Sequence, residues 1–198
     1  MSTCTAYCII WPPTDAFELF SGYRGRWWIA GGWAIEAFTG RQRHHGDLDP
    51  SIPRADVALL QEHVAARLDV WAADQDTLRQ FVRTGGPAPL DNVRQPLAAR
   101  ERRRSLGVRR DPLGRLLLGV DLQARCTLAR PLEEILWTQD GIDYLRPEVQ
   151  LLHKAPGLRP QDQEDFEACL PLLDEAGGAW LAHALQTAHP GHPWLGSL

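Results

Sequence analysis

Cysteine and long apolar runs are scarce in this 198-residue chain, and each scarcity removes a class of reading. The four cysteines stand at 4, 8, 126 and 169, and no His or Cys pair follows Cys4 and Cys8 at zinc-finger spacing. Free cytosolic thiols are the expectation. No apolar run approaches the ~20 residues that a membrane-spanning helix needs, so no membrane partner is expected. The opening MSTCTAYCIIW has neither a basic start nor a small-residue cleavage site and does not read as a signal peptide. The cytoplasm is the expected compartment. Positive charge is not in excess either. Lys and Arg number 21 against 25 Asp and Glu, and a net charge of −4 gives no footing for a nucleic-acid partner.

What is present is an ordinary globular balance, 44% hydrophobic and 23% charged, in a length that suits one α/β unit with a helical appendage. Residues 1–12 are expected to be loosely held. Pro13, Thr14 and Asp15 open a short helix, with Thr14 as its cap and Phe17, Leu19 and Phe20 as its apolar side. Trp27 to Ala30 is an apolar run that reads as a buried strand. Gly31 and Gly32 interrupt it, and a helix over 33–38 stops at Gly40. A polar loop, 41–46, leads into Asp47-Leu48-Asp49, which alternates as a strand does. Pro53 opens a helix with Val57, Leu60, Val64 and Leu68 on one side, and 70–73 reads as a third strand. This order predicts an α/β (α+β) fold, a mixed sheet with flanking helices, over 13–130. A carboxyl-terminal helical region is expected over 131–198. There Pro147 sits at the first position of one helix, Asp162 caps a second, and Gly177 and Gly178 precede a third over 179–188.

The chemistry concentrates between Gly31 and Asp49. Two glycines beside a helix start let the backbone approach a ligand closely, and the helix points unpaired N–H groups and its positive end at the same spot, which suits phosphate. Asp47 and Asp49, two apart on a strand, share one face. Paired carboxylates repel unless a cation lies between them, and Mg²⁺ takes one or two carboxylates together with phosphate oxygens. A Gly-Gly turn or an Asp-x-Asp pair alone is commonly structural; the two in this order and separation are far more specific.

The string GGWAIEAFTGRQRHHGDLD resembles the motif of the aminoglycoside and lincosamide nucleotidyltransferases, members of the polymerase-β-like superfamily. Those proteins carry Gly-Gly-Trp-Ala-Ile-Asp, a glycine, a basic loop and His-x-Asp-x-Asp; Glu36 stands here in place of their Asp. YLRPEVQLLHKA and RPQDQEDF are similar to the tail helices of bacterial members. The resemblance implies transfer of a nucleoside monophosphate, AMP from ATP, to a hydroxyl of a small molecule, with pyrophosphate leaving. It implies that Gly31 and Gly32 cradle the nucleoside triphosphate, that Asp47 and Asp49 hold Mg²⁺, and that Arg43, His44 and Lys154 contact phosphates. Asp162 and Asp165 read instead as helix-start residues that balance the dipole. Two other readings stand beside this one, a nucleotide-binding relic and a nucleotidyltransferase that modifies a protein partner. Resistance to an antibiotic does not follow.

In that superfamily a later strand supplies a third acid, which can act as general base toward the acceptor hydroxyl. Asp121, inside the run 116–122, is the candidate here. The homologous strand, Trp-Ala-hydrophobic-Asp-hydrophobic, is not written in the chain. Residues 93–130 hold ten arginines without a helical or strand period. Ser105 to Pro112 can be back-translated so that the frame one nucleotide forward spells Ala-Trp-Ala-Phe-Asp-Val-Ile-Leu. A compensated frameshift from near Val93 to near Arg130 accounts for both features. The gene's nucleotide sequence, read one nucleotide forward across this stretch, is expected to spell that strand; codons that cannot do so end the idea.

Overall fold

A computed structural model of the chain describes residues 12–65, 69–74, 77–80, 108–110, 116–120 and 130–198, with side chains from 66 to 129 and that of Arg54 left aside. Loose holding of residues 1–11, the frameshift reading over most of 93–130 and the third-acid candidate Asp121 lie outside the described residues.

The fold is mixed α+β, as the sequence predicts, with seven α-helices and two four-stranded sheets among the described residues. The first sheet is built on β1 (Trp28–Ala30), the buried apolar run. β2 (Asp49–Ser51) pairs antiparallel with it in the register Ala30↔Asp49, Ile29↔Pro50 and Trp28↔Ser51. β2 is an edge strand, which is where a proline such as Pro50 costs no ladder hydrogen bond. On the other side of β1 lies β8 (Ile142–Leu145), parallel to it, followed by β7 (Leu136–Gln139). The second sheet joins β3 (Asp69–Asp74), β4 (Thr77–Gln80), β5 (Val108–Arg110) and β6 (Leu116–Val120) in the order β4-β3-β6-β5.

Between β1 and β2 runs α2 (Gly31–Thr39), ended by Gly40 in the left-handed conformation at φ 67°. Gly31 and Gly32 form the helix's first turn rather than a break before it. Adjacent residues of α2 enter two different cores. Ala34 packs with Ile29, Leu48, Ile142 and Tyr144 on the sheet side. Ile35 packs with Leu151, Leu152, Phe166, Leu181, Leu185 and Trp194 on the helical side. The helical layer consists of α5 (Pro147–Lys154), α6 (Pro160–Cys169) and α7 (Glu175–Ala188). The chain's last turns close over it. Trp194 stacks on Phe166 with centroids 4.4 Å apart, and its Nε1–H donates to Gln163 at 2.7 Å. Burial pushes the thiol of Cys169 in this layer up to about 12, so it stays protonated and inert.

Several boundaries differ from the sequence reading. The strand starts at Asp49, so Asp47 and Leu48 precede it. α1 (Pro13–Leu19) begins at Pro13 with Pro12 at the cap, and Thr14 lies inside it. Pro53 is followed by a 3₁₀ turn (Arg54–Asp56) before α3 (Val57–Val64), whose buried side is Val57, Leu60 and Val64 as expected, while the expected Leu68 lies outside the described residues. Asp162 is the third residue of α6, returning its carboxylate to the Arg159 amide, and is not the cap. Asp174 caps α7 and accepts from Gly177, which places both glycines inside that helix. The carboxyl-terminal stretch is not purely helical. A short helix, α4 (Leu132–Ile135), is followed by the β7–β8 hairpin, turned by Asp140 and Gly141 at φ 52° and 78°. Positive φ at both positions is what a two-residue hairpin loop requires.

Gly31 has φ 70°, and a Cβ there would overlap the carboxylate of Asp49. Gly31→Ala should therefore lower stability by about 1–3 kcal/mol from backbone strain alone, with more from the displaced carboxylate. Denaturant unfolding measures it; Gly178→Ala, where nothing lies within 4 Å, is the control.

Candidate functional site

The start of α2 gathers residues from both ends of the chain. Ala30 and Asp49 are register partners, and this brings the Asp49 carboxylate directly against Gly31. Leu48, 1% exposed, points the other way into the sheet-side core. Asp47 and Asp49 flank it in the chain, although only Asp49 belongs to β2. Asp49 is buried and Asp47 half-buried. At Gly32 the neighbour is Arg43, whose guanidinium would overlap a Cβ, with the His45 ring just behind. Both glycines are thus needed for close approach, one to a carboxylate and one to a cation.

The loop that carries Arg43 is tied to α2. Glu36 accepts a hydrogen bond from the Arg43 amide at 3.1 Å and contacts His45 Nε2 at 2.6 Å. Trp33 stacks on the His45 ring at 3.9 Å. Burial lowers the affinity of His45 for a second proton; the Glu36 bond opposes that and the Arg43 charge adds to it. A ring with its proton on Nε2 donates to Glu36 and locks the loop. His44, by contrast, is exposed, and its carbonyl accepts from Arg43 Nη1 at 3.3 Å.

From the helical layer come Gln150, Lys154, Arg159, Asp162 and Asp165. The side chain of Gln150 accepts the Gly31 N–H at 2.8 Å, so α5 closes on the first amide of α2. Lys154, 8% exposed, lies between Asp162 at 3.1 Å and Asp165 at 2.8 Å. Asp162 is also held by Arg159 Nε at 2.7 Å and Nη2 at 3.0 Å. The charge of Asp47 reaches Arg159 as well. Arg43 completes the group through Asp165, at 3.3 Å from Nε and 3.4 Å from Nη2.

Sequence reasoning placed Gly31, Gly32, Asp47, Asp49, Arg43 and Lys154 here, and the structure brings them into one region, while His44 faces outward. It missed His45, Glu36, Gln150 and the burial of Asp162 and Asp165. Asp162 and Asp165, three apart on α6, fall on one helix side, as does Lys154 on a helix otherwise apolar there. A lysine and two acids on facing apolar helices signal a buried charge cluster.

The donor set suits Mg²⁺. Carboxylates are hard oxygen ligands, and that of Asp49 lies beside a helix start of the kind that favours phosphate, with Asp47 two residues before it in the chain. Among the described residues no group of three or more His, Cys, Asp or Glu side chains gathers as a metal site, so the fit rests on these two acids with phosphate oxygens completing the shell. Two cavities, of about 440 and 260 Å³, lie along α2, the larger at its carboxyl-terminal end beside Phe38 and Trp137. Neither is lined by Gly31, Gly32, Asp47 or Asp49.

Residues 14–81 match the family model of the aminoglycoside-2″-adenylyltransferases. The matched segment is about a third of the chain and contains the whole stretch from Gly31 to Asp49. It supports an aminoglycoside nucleotidyltransferase-like family, as the resemblance of that motif implies, and the class of protein it indicates is an adenylyltransferase-type nucleotidyltransferase. Comparison with curated proteins and with solved structures finds no match. Among the described residues no helix is long and apolar enough to cross a membrane.

The buried cluster should set the acid limit of stability. Burial pushes the Asp162 carboxyl up, but the hydrogen bond from Arg159 and the charge of Lys154 together outweigh it and hold the group below its ordinary 3.8. A depressed folded-state value means that the unfolded chain takes up the proton first. The stabilisation is complete above pH ~4–5 and is lost as pH falls through the folded value. Unfolding free energies should hold from pH 6 to about 5 and fall below that, and Asp162→Asn should weaken the fall while lowering stability at pH 6.

Proposed function

We propose that this chain is a Mg²⁺-dependent nucleotidyltransferase that transfers a nucleoside monophosphate, AMP from ATP, to a hydroxyl group of a small molecule and releases pyrophosphate. The observation that carries the reading is the packing of the Asp49 carboxylate against Gly31 at the amino-terminal end of α2, with the Arg43 guanidinium against Gly32. That juxtaposition supports the reading, because a carboxylate oxygen, a helix end and a guanidinium lie at adjacent residues, a set that would suit a metal ion and a phosphate together.

Asp47 and Asp49 would hold Mg²⁺, which when bound neutralises the triphosphate and the departing pyrophosphate. The helix start and Arg43 orient the phosphates so that the acceptor oxygen meets the α-phosphorus in line with the leaving oxygen. The P–O bond to the acceptor forms as the bond to pyrophosphate breaks, and the hydroxyl proton passes to a base, for which Asp121 is the candidate. Glu36 and His45 act on the loop and touch none of the reacting atoms; their task is to keep Arg43 over Gly32. A second reading, a nucleotide-binding relic, draws support from the arginine-rich run 93–130, where the usual acid-bearing strand is not written.

Pyrophosphate release from ATP and Mg²⁺ with a panel of polyhydroxylated acceptors, aminoglycosides among them, distinguishes the two. Asp49→Asn and Asp47→Asn should each lower turnover by roughly a hundredfold or more, and chelation of the metal should abolish it. Binding of ATP without turnover in any pairing selects the relic. A chain that neither binds ATP nor releases pyrophosphate is not of this class.

A further inference from the structure

We propose that Asp165 stands in for phosphate. It holds the Arg43 guanidinium over Gly32 until a nucleotide phosphate takes that cation, while Lys154 remains as the permanent counter-ion of Asp165. The inference rests on the nucleotide-binding reading above and adds a residue to it from outside the matched segment.

Bond lengths separate the two cations. Charged N–H···O pairs normally close to about 2.7–2.9 Å. Lys154 to Asp165 is 2.8 Å and Arg159 to Asp162 is 2.7 Å. Among the described residues the side-chain polar contacts of Arg43 are longer: 3.3 and 3.4 Å to Asp165, 3.3 Å to the His44 carbonyl. Its Nε–H, although buried, is aligned with no acceptor among the described residues. A guanidinium presents its donors as a rigid fork that suits the two oxygens of a phosphate. Here the fork is only loosely matched by a carboxylate that already serves another cation.

Charge and burial point the same way. Each of the buried acids Asp162 and Asp165 has a close cation other than Arg43, Arg159 at 2.7 Å and Lys154 at 2.8 Å, so Arg43 is a second and more distant partner of Asp165. Lys154 is 8% exposed and enclosed by α6, whereas the Arg43 side chain is 30% exposed on the loop 41–46. Moving Lys154 would take from buried Asp165 its one short bond and from Asp162 a second partner, a costly loss for buried carboxylates. Moving Arg43 leaves Asp165 with its short bond to Lys154. The cheap exchange is therefore the one at Gly32, where an arriving phosphate meets Arg43 and the helix end together.

Asp165 is in this sense a positioning residue that competes with the nucleotide. Neutralising it should release Arg43 and tighten nucleotide binding, whereas an acid with only a structural role would leave affinity unchanged or weaken it.

Calorimetric titration of the full chain with ATP and Mg²⁺ tests this. Asp165→Asn should bind ATP roughly threefold to tenfold more tightly than the unaltered chain, although its Tm falls. Arg43→Gln should bind about tenfold more weakly with little change in Tm, and in the double variant the gain from Asp165→Asn should vanish. Unchanged or weaker binding by Asp165→Asn overturns the inference, as does a gain that survives Arg43→Gln. Should Asp165→Asn not fold, the unaltered chain decides by nuclear magnetic resonance. The Arg43 Nε–H signal should move on addition of ATP and Mg²⁺ while that of Arg159 stays; an unmoved Arg43 signal at saturating ATP overturns the inference and leaves the nucleotidyltransferase reading standing. If the unaltered chain binds no ATP, both fall.

Discussion

Two charged groups fill the space that side chains would occupy at positions 31 and 32, and the rest of the site is arranged around that close approach. The carboxylate of Asp49 and the guanidinium of Arg43 lie so near the backbone that any Cβ at either glycine would collide with them. For Asp49 the approach follows from the sheet: Ala30 and Asp49 are partners across β1 and β2, and one residue later the chain turns into α2 at a positive φ. For Arg43 it follows from the loop, held down by Glu36 and by the Trp33–His45 stack. Strand register and loop anchoring are independent, so two separate features of the fold converge on one helix end.

That helix end cannot drift, because α2 is wedged between two cores. Ala34 and Ile35, both at most 2% exposed, belong to different apolar clusters, so a rotation of α2 that relieved one face would expose the other. Gln150 adds a direct bond from α5 to the Gly31 amide. The helical layer thus fixes the position and rotation of the element whose first turn holds Gly31 and Gly32. The cluster of Lys154, Asp162 and Asp165 belongs to the same logic. Burying three charges costs several kcal/mol per ion unless the geometry is good, so its worth is less in net stability than in fixing how α5 and α6 face the loop of Arg43.

Local signals in the sequence were legible and non-local ones were not. The glycine that ends α2, the proline that begins α5 and the apolar side of α3 each depend on residues within a turn or two, and each lies where the pattern puts it. The hairpin over 136–145 was also written locally, as Asp-Gly between apolar stretches, but the surrounding helical periodicity obscured it. The partners of Asp162 and Asp165 are different in kind. Arg43 is 122 residues from Asp165 in the chain, and no periodicity encodes such a pairing. Single-residue signs were present, a lysine and two acids on otherwise apolar helix faces, yet helix-start acids and buried counter-ions look alike until the opposing helix is placed. Acids at 47 and 49 could be paired by alternation; that the glycines ahead of them are filled by a carboxylate and a guanidinium could not.

The extent of the family match sharpens what the carboxyl-terminal residues are for. It ends at residue 81, yet the groups that contact Gly31 and Arg43 include Gln150 and Asp165 from far beyond it. A motif that needed only its own segment would leave those contacts without purpose. Gln150 takes a backbone donor at the very turn where a phosphate would sit, and Asp165 takes a cation. Both act on the groups that would bind the nucleotide rather than on the carboxylates that would bind the metal. On the proposed reading the amino-terminal segment would supply the chemistry, and the helical layer would set how strongly the groups at Gly31 and Gly32 are held before a nucleotide arrives. A family match over one third of a chain says little about substrate; on the proposed reading, contacts that reach into the motif from the remainder would set this protein's own nucleotide affinity.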